Sequence, residues 1–269
     1  METIVHRALD RYRSEGLATL TREGKRVILG PFDPVYQRIK PAFTELSVDG
    51  ASAGFDTTPR SLTKHDFVDD IASERDVLER FLAELRPDDV LYDIGGNVGV
   101  YTCLAADRLD SGRIVTFEPS PDACAMLRSN IRHNGIDAEV YQVALSNENG
   151  TTLLRHRGST GHQLTADASG ADVIEIETRR GDDLIKEANL PRPTVCKVDI
   201  EGAEYLAMDG LRETLADPTC RLVYCEIHTS KIQDIGGTPE ELEDLFQECG
   251  FDLEYLDERR ENYFVRAVR

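Results

Sequence analysis

VLYDIGGNVGVYTCLAA, residues 90–106, joins a run of buried-strand character to a glycine-rich turn and a second apolar run. A strand that ends near an aspartate, turns on glycine and opens a helix is the first half of a strand–helix–strand unit. The pattern continues downstream. RIVTFEP leads into DACAMLRSNIRHNG, AEVYQVAL makes a third strand, TVCKVDI leads into AEYLAMDGLRETL, and RLVYCEIH makes a fifth strand. Strands separated by helices imply right-handed crossovers and a parallel sheet covered on both faces. The ending differs. TPEELEDLFQECG reads as a helix with Thr238 as its cap, Pro239 at its first position and Gly250 beyond its end. FDLEYLD and NYFVRAV follow as two strands joined by a short charged turn. The expected fold class is therefore α/β, a doubly wound, mostly parallel Rossmann-like sheet ending in an antiparallel hairpin strand.

Upstream of this region the chain changes character. A short amphipathic helix near the start gives way to FTELSVDGASAGFDT, in which two alternating segments flank Asp49-Gly50, a good hairpin signal. SERDVLERFLAEL follows, with Ser73 as a candidate N-cap and Val77, Leu78, Phe81, Leu82 and Leu85 on one helical face. This gives an N-terminal helix and hairpin extension over residues 1–72 and a main domain over residues 73–269.

The balance of 50 acidic against 31 basic residues, a formal charge of −19, disfavours nucleic acid or an anionic membrane surface as a partner. The acids are spread along the whole chain, which suggests a solvated surface adapted to high salt, where screening removes self-repulsion, with an ordinary acidic cytosolic protein as the alternative. Six cysteines form no C-x-x-C pair, and several sit in apolar runs as small buried thiols. No apolar run reaches the length of a membrane span, and the N-terminus lacks the apolar core of a signal peptide. The expected location is cytoplasmic.

The spacing of the turn, Asp93-x-Gly95-x-Asn97-x-Gly99, matches neither G-x-G-x-x-G nor a phosphate loop. A phosphate cradle offers backbone N–H groups to an anion, and an aspartate at the strand end would repel one. The same acid suits a cationic ligand that the glycines allow to approach closely. S-adenosyl-L-methionine carries a sulfonium and an α-amino group and no phosphate. The next strand ends in TFEPS, which puts Glu118 where a carboxylate accepts both hydroxyls of an adenosine ribose. After the third strand, the backbone of Val143, Ala144 and Leu145 is placed to face the adenine. A nicotinamide oxidoreductase fits less well, because Asp93 would face the pyrophosphate.

With these residues in view, the chain resembles the FkbM-type methyltransferases, a branch of the class I S-adenosylmethionine-dependent enzymes. The resemblance rests on YDIGGNVGVYT, FEPSPDACAMLRSNIRHNG, VALSNENG, RRGDDLI, CKVDIEGAEYLAMDGL and CEIH, and covers about residues 74 to 250. It implies the class I methyltransferase fold for residues 73–269 and O-methylation of sugars in glycans or of hydroxyls in secondary metabolites. It also implies cofactor contacts at Asp93, Gly95, Asn97, Gly99 and Glu118. One departure is ETRRGDDLI, where members of the family usually carry a Thr-Leu-Asp-like stretch. Arg179 and Arg180 there are either local variation or an adaptation to an acidic substrate.

Methyl transfer is an in-line displacement at carbon, so the protein must align the acceptor oxygen and assist loss of its proton. The fourth strand ends in KVDIEGAE and the fifth in CEIH, so Asp199, Glu201, Glu226 and His228 should converge at the ligand crevice. His228 is the candidate base, since an unperturbed imidazole titrates near working pH, at about 6.5. Alternation places Glu226 on its side of the strand, and Lys197 beside Asp199. Glu201 is a candidate substrate contact. Asp199, Glu226 and His228 also make a donor set for Mg²⁺ or Mn²⁺, so direct and metal-assisted deprotonation both stay open. RHRGSTGHQLTADASG reads as a polar loop, a substrate-facing lid offering Ser159, His162 and Arg157. The expected activity is O-methylation of a sugar hydroxyl or uronic-acid residue of a glycan. The alternatives are O-methylation of a small secondary metabolite and a non-catalytic cofactor-binding module.

Overall fold

The computed structural model describes residues 43–56, 64–157, 161–165, 173–257 and 262–269, and the helix expected near the start of the chain lies outside them. The chain divides into two compact units, Met1–Thr44 with Phe55–Arg75, and Glu45–Gly54 with Asp76–Arg269. Strands β1 (Phe43–Val48) and β2 (Ala51–Asp56) pair as a two-stranded sheet. Their turn has Asp49 at φ 49° and Gly50 at φ 83°. Positive φ at both central residues is what a tight hairpin turn needs, and Asp-Gly supplies it at low cost. Helix α1 (Lys64–Glu84) starts earlier than expected, so Ser73 is an interior residue and not its cap. KHDFVDDIA contains no glycine or proline to stop a helix, and the turn before Ser73 simply continues it. Val77, Leu78, Phe81 and Leu82 of the expected apolar face are buried, but Leu85 lies past the end of the helix and is only partly buried.

The main sheet has seven strands: β3 (Val90–Ile94), β4 (Arg113–Phe117), β5 (Glu139–Tyr141), β10 (Val195–Val198), β11 (Leu222–His228), β12 (Asp252–Leu256) and β13 (Asn262–Val268). Their order is β12-β13-β11-β10-β3-β4-β5. β3, β4, β5, β10 and β11 pair in parallel, whereas β13 runs antiparallel to both β11 and β12. This is the doubly wound sheet with one reversed strand, the class I methyltransferase topology. Helices α2 (Val100–Ala106) and α3 (Pro121–Asn134) follow β3 and β4. The second half of the chain supplies α4 (Gly181–Glu187), α5 (Glu204–Gly210), α6 (Arg212–Ala216), α7 (Lys231–Ile235) and α8 (Pro239–Glu248). As expected, the Thr238 hydroxyl accepts from the Glu241 N–H at 3.1 Å, with Pro239 in the first turn. Leu242, Leu245 and Phe246 of α8 then join Ile227, Val265 and Met208 in the core. Each such side chain contributes roughly 1.5–3 kcal/mol on burial.

AEYLAMDGLRETL is two short helices because the helix breaks after Gly210. A Cβ at that glycine would stand 1.9 Å from the Ser146 carbonyl oxygen, so its absence lets α5 lie directly on neighbouring backbone. AEVYQVAL also divides. β5 closes the edge of the main sheet, and β6 (Ala144–Ser146) leaves it for a second sheet with β7 (Gly150–Arg157), β8 (Gly161–Thr165) and β9 (Val173–Arg180), ordered β6-β9-β7-β8. An apolar run of this length does not reveal which sheet each half joins.

The two ends of the main sheet are built differently. At its amino end Asp89, buried, accepts from the Thr194 hydroxyl at 2.6 Å, the Arg86 N–H at 2.7 Å and the Arg221 guanidinium at 2.5 Å, which ties three segments together. The carboxyl end carries the glycine turn and the cluster of acids. All six cysteines are buried free thiols.

Candidate functional site

The glycine turn is held by main-chain bonds. The N–H groups of Gly95 and Gly96 donate to the Phe117 carbonyl at 2.9 and 3.1 Å, and Gly99 N–H donates to the Gly96 carbonyl at 2.7 Å. Gly95 adopts φ 84°, and a Cβ on it would fall 1.9 Å from the Asp199 carbonyl oxygen, so no other residue fits there without displacing the fourth strand. Asn97, at φ 48°, and Gly99, at φ 93°, complete the reversal into α2.

Asp93 lies beneath this turn, fully buried. Its Oδ2 accepts from Thr102 N–H at 3.0 Å and Thr102 Oγ1 at 2.5 Å, while Oδ1 is buried without a hydrogen-bond partner. Burial raises its pKa, against the opposing pull of Lys197 and of the Thr102 bonds. Asp93 thus braces the start of α2, and it is absent from the residues lining the cleft above. Glu118 does line that cleft. Its Oε2 accepts from Asn97 N–H and its Oε1 from Ser120 N–H, each at 2.8 Å. Burial pushes its pKa up to about 7, although these two N–H groups favour the ionised form. Each oxygen retains a lone pair for a further donor.

The cleft is also lined by Gly95, Asn97, Phe117, Val143, Ala144 and Leu145. Leu154 and Leu164 close it from the second sheet, where they are cross-strand partners on β7 and β8. The stretch RHRGSTGHQLTADASG is therefore in part an antiparallel pair of strands and not simply a polar loop. Its mixed sequence hides the alternation, because only Leu154 and Leu164 mark the apolar face. Ser159 lies outside the described residues, as do the side chains of Arg157 and His162. Among the described lining residues there is no Lys or Arg, but there are three carboxylates, Glu118, Asp199 and Glu201. Such a cleft favours a ligand with a flat apolar part, hydroxyls and positive charge, and disfavours a phosphate.

Strand register brings the remaining acids together. Lys197 stands opposite Asp93 on the neighbouring strand, lies 4.6 Å over the Tyr101 ring, and pairs with Asp199 Oδ2 at 3.2 Å. Burial works against ionisation of Asp199, but Lys197, His228 and Lys231 outweigh it and hold its pKa below the ordinary value. Glu201, at φ 57° on the tight turn with Gly202, pairs with Lys231. His228 Nε2 is 3.6 Å from Glu201 Oε2 and 3.9 Å from Glu226 Oε1. Asp199, Glu201, Glu226 and His228 thus stand close together as expected, but only Asp199 and Glu201 are among the residues lining the cleft, and Glu226 and His228 are not.

Two partners were not read from the sequence. Glu204, fully buried at the start of α5, places Oε1 2.9 Å from His228 Nδ1 and accepts from Gly202 N–H at 2.9 Å with the same oxygen. Asn262, in register with His228 on β13, donates to Glu226 Oε1. Glu204 was legible only as an acid in a first helical turn, and Asn262 only once the reversed strand was placed beside β11. Glu204 also alters the expectation for His228. Burial would lower the imidazole pKa, but Glu204, with Asp199 and Glu201, raises it to about 9 in place of the ordinary 6.5. The unliganded imidazole is therefore protonated at neutral pH, and does not sit near working pH as the unperturbed value suggests.

Arg179 and Arg180 do not line the cleft. Arg179 is engaged by Glu187, Glu177 and Asn149, and Arg180 by Asp183, Asp182 and Glu213. They tie β9 to α4 and α6, which makes them local structure and not an acidic-substrate site.

The model of the Methyltransferase FkbM domain matches residues 93–253, more than half of the chain. A hexuronic acid methyltransferase of Haloferax volcanii is 28% identical over 225 residues, covering 82% of this chain and 87% of that protein. The 31-O-demethyl-FK506 methyltransferase of Streptomyces tacrolimicus is 28% identical over 200 residues, covering 62% and 74%. A 2-O-methyltransferase of Sinorhizobium fredii is 28% identical over 167 residues, covering 55% and 67%. The chain belongs to the FkbM methyltransferase family and is a methyltransferase.

Proposed function

We propose that the protein transfers a methyl group from S-adenosyl-L-methionine to an oxygen of a sugar, most simply a hydroxyl or the carboxylate of a uronic-acid residue in a glycan. The observation that carries the donor assignment is the cleft's chemistry: Glu118 pinned by two backbone N–H groups beside an apolar wall, with no cation among the described lining residues. Glu118 would accept from the ribose hydroxyls, Val143, Ala144 and Leu145 would flank the adenine, and Gly95, Asn97 and Gly99 would let the main chain approach the amino-acid part. Asp93 would act by bracing that turn. The donor supplies an electrophilic methyl carbon bonded to a sulfonium, whose bonding pair stays on sulfur as the acceptor oxygen takes the carbon.

The chain's own residues do the rest. Asp199, Glu201, Glu226 and His228 surround the place where the acceptor would meet the methyl group. An acceptor hydroxyl must lose its proton; Nδ1 of His228 is committed to Glu204, so Nε2 is the nitrogen that would take it, and only after the ring, held protonated up to about 9 in the empty site, has given up its own Nε2 proton. A carboxylate acceptor needs no base and would use the same groups for orientation. The likeness to a hexuronic acid methyltransferase over most of both chains supports the glycan reading over a small secondary metabolite. Conversely, the cluster of acids around His228 argues against a module that only binds the donor. The six buried free thiols support a reducing, cytoplasmic setting, and no helix among the described residues is long and apolar enough to cross a membrane.

The test is mass spectrometry of cellular glycans with and without the gene. A 14-dalton loss confined to a sugar residue on deletion is expected. Mild alkali then separates the two acceptors, since a methyl ester hydrolyses and a methyl ether does not. Unchanged glycans, with the shift in a small metabolite instead, would overturn the glycan assignment.

A further inference from the structure

We propose that Asp199, Glu226 and His228 hold a divalent cation of the Mg²⁺/Mn²⁺ class, with Glu204 as the residue that positions the imidazole, and that the acceptor binds the cation through two neighbouring oxygens. The use of the cation in catalysis rests on the glycan methyltransferase reading above, but its binding does not.

Three observations carry the site. One donor atom from each of Asp199, Glu226 and His228 lies within 4.8 Å of the other two. Ligands about 2.1 Å from a shared ion stand roughly 3–4.2 Å apart, so the cluster needs to contract by only a fraction of an ångström. Next, His228 Nε2 stands 3.9 Å from Glu226 Oε1, too far for a hydrogen bond and within the span of two ligands of one ion. The side chains of Glu226 and His228 are only 5% and 7% exposed, so these groups were brought out of water to face one another. Finally, Glu204 is fully buried with Oε1 2.9 Å from His228 Nδ1. A carboxylate there keeps the proton on Nδ1 and turns the lone pair of Nε2 toward the cluster, which is the arrangement that orients a metal-ligating histidine.

Formal charge points the same way. Asp199, Glu201, Glu204 and Glu226 face Lys197 and Lys231, so the local charge is near −1 with the imidazole protonated and near −2 once an ion displaces its Nε2 proton. Lys197 is fixed on Asp199 Oδ2, Lys231 on Glu201 and Asn262 on Glu226 Oε1, so the ion would share Glu226 with Asn262 and draw on Asp199 Oδ1 and His228 Nε2. Two carboxylates and one imidazole suit Mg²⁺ or Mn²⁺ better than a thiolate-seeking metal. A hydroxyl bound to such an ion loses its proton more readily, and a second oxygen beside it, from a carboxylate or another hydroxyl, would complete a chelate and fix which oxygen is methylated.

The experiment is titration of Mn²⁺ into chelator-treated full-length protein, read by electron paramagnetic resonance and by calorimetry, with S-adenosylhomocysteine titrated into the same sample. One Mn²⁺ per chain is expected, competed by Mg²⁺. His228→Ala and Glu226→Gln should weaken it at least tenfold, and Glu204→Gln by roughly 10- to 100-fold, with S-adenosylhomocysteine affinity unchanged. Thermal melts of each variant identify any that fail to fold, and the wild-type titration alone remains decisive. No Mn²⁺ binding at millimolar concentration, or binding indifferent to His228→Ala, would overturn the proposal. S-adenosylhomocysteine binding without Mn²⁺ binding would remove the cation and leave the methyl-transfer reading standing; the reverse would do the opposite.

Discussion

The glycine turn and the cluster of acids around His228 reach their geometry by different means. In the turn, main-chain groups dominate: Gly95, Gly96 and Asn97 donate N–H groups to Phe117 and Glu118, and the chain there adopts positive φ at three positions. In the cluster, side chains from three strands and a helix start meet: Asp199, Glu226, His228, Asn262 and Glu204. A main-chain site is fixed by local spacing and preorganised in the empty protein. A side-chain site depends on strand register, and its charges respond to whatever binds. The turn is therefore expected to govern donor affinity and the cluster turnover, and each of the following experiments bears on that division.

The largest effect is expected in the cluster. Replacing His228 by Ala should cost about 10²- to 10⁴-fold in turnover, and by Asn nearly as much, since Asn cannot take a proton or replace the imidazole as a ligand. Steady-state kinetics with either variant at wild-type rate would make the histidine structural. Next is Gly95→Ala in the turn. With φ at 84° and a Cβ 1.9 Å from the Asp199 carbonyl, the variant should lose about 2–4 kcal/mol of stability in denaturant titration and bind the donor poorly. An unchanged melt would show the turn to be softer than described.

Glu118→Ala should weaken donor binding by about 1.5–3 kcal/mol, tenfold or more. The same residue makes a pH test. Its folded pKa of about 7 lies above the ordinary 4.5, so the empty fold binds this proton more tightly than the unfolded chain does. Its contribution therefore favours the empty fold at low pH and is lost as pH rises through about 7. Donor affinity should run the other way, falling as pH drops through about 7, because the protonated acid accepts less well. Calorimetry from pH 6 to 8 would show this slope in the wild type and none in Glu118→Ala. The smallest expected effect is on the surface. With a net charge of −19, thermal stability should rise by several degrees from dilute buffer into molar potassium chloride, and a flat response would argue against adaptation to salt.

The contrast between turn and cluster also explains what the sequence revealed. The alternation of strands and helices in the main sheet, the closing antiparallel hairpin and the position of Glu118 just after β4 follow from periodicity and local spacing, and the structure has each of them. Positions that depend on distant partners were harder. Ser73 has the chemistry of a cap, but the residues before it continue the helix. Leu154 and Leu164 reach the cleft from a second sheet whose polar segments read as a loop. Arg179 and Arg180 suggested an anion site until their carboxylate partners were placed around them. His228 was legible as a candidate base, but its charge state was not. That is set by Glu204, 24 residues away and buried under the strand end.

Donor binding and methyl transfer are expected to be carried by separate groups of residues, the glycine turn with Glu118 and the cluster around His228. Calorimetric titration of S-adenosylhomocysteine into wild type, Glu118→Ala and His228→Ala, with NAD as the competing ligand, tests this directly. Expected are binding by the wild type, equal affinity in His228→Ala, at least tenfold weaker binding in Glu118→Ala, and no measurable NAD affinity. Loss of affinity in His228→Ala as large as in Glu118→Ala, or NAD bound in preference to S-adenosylhomocysteine, would contradict this expectation.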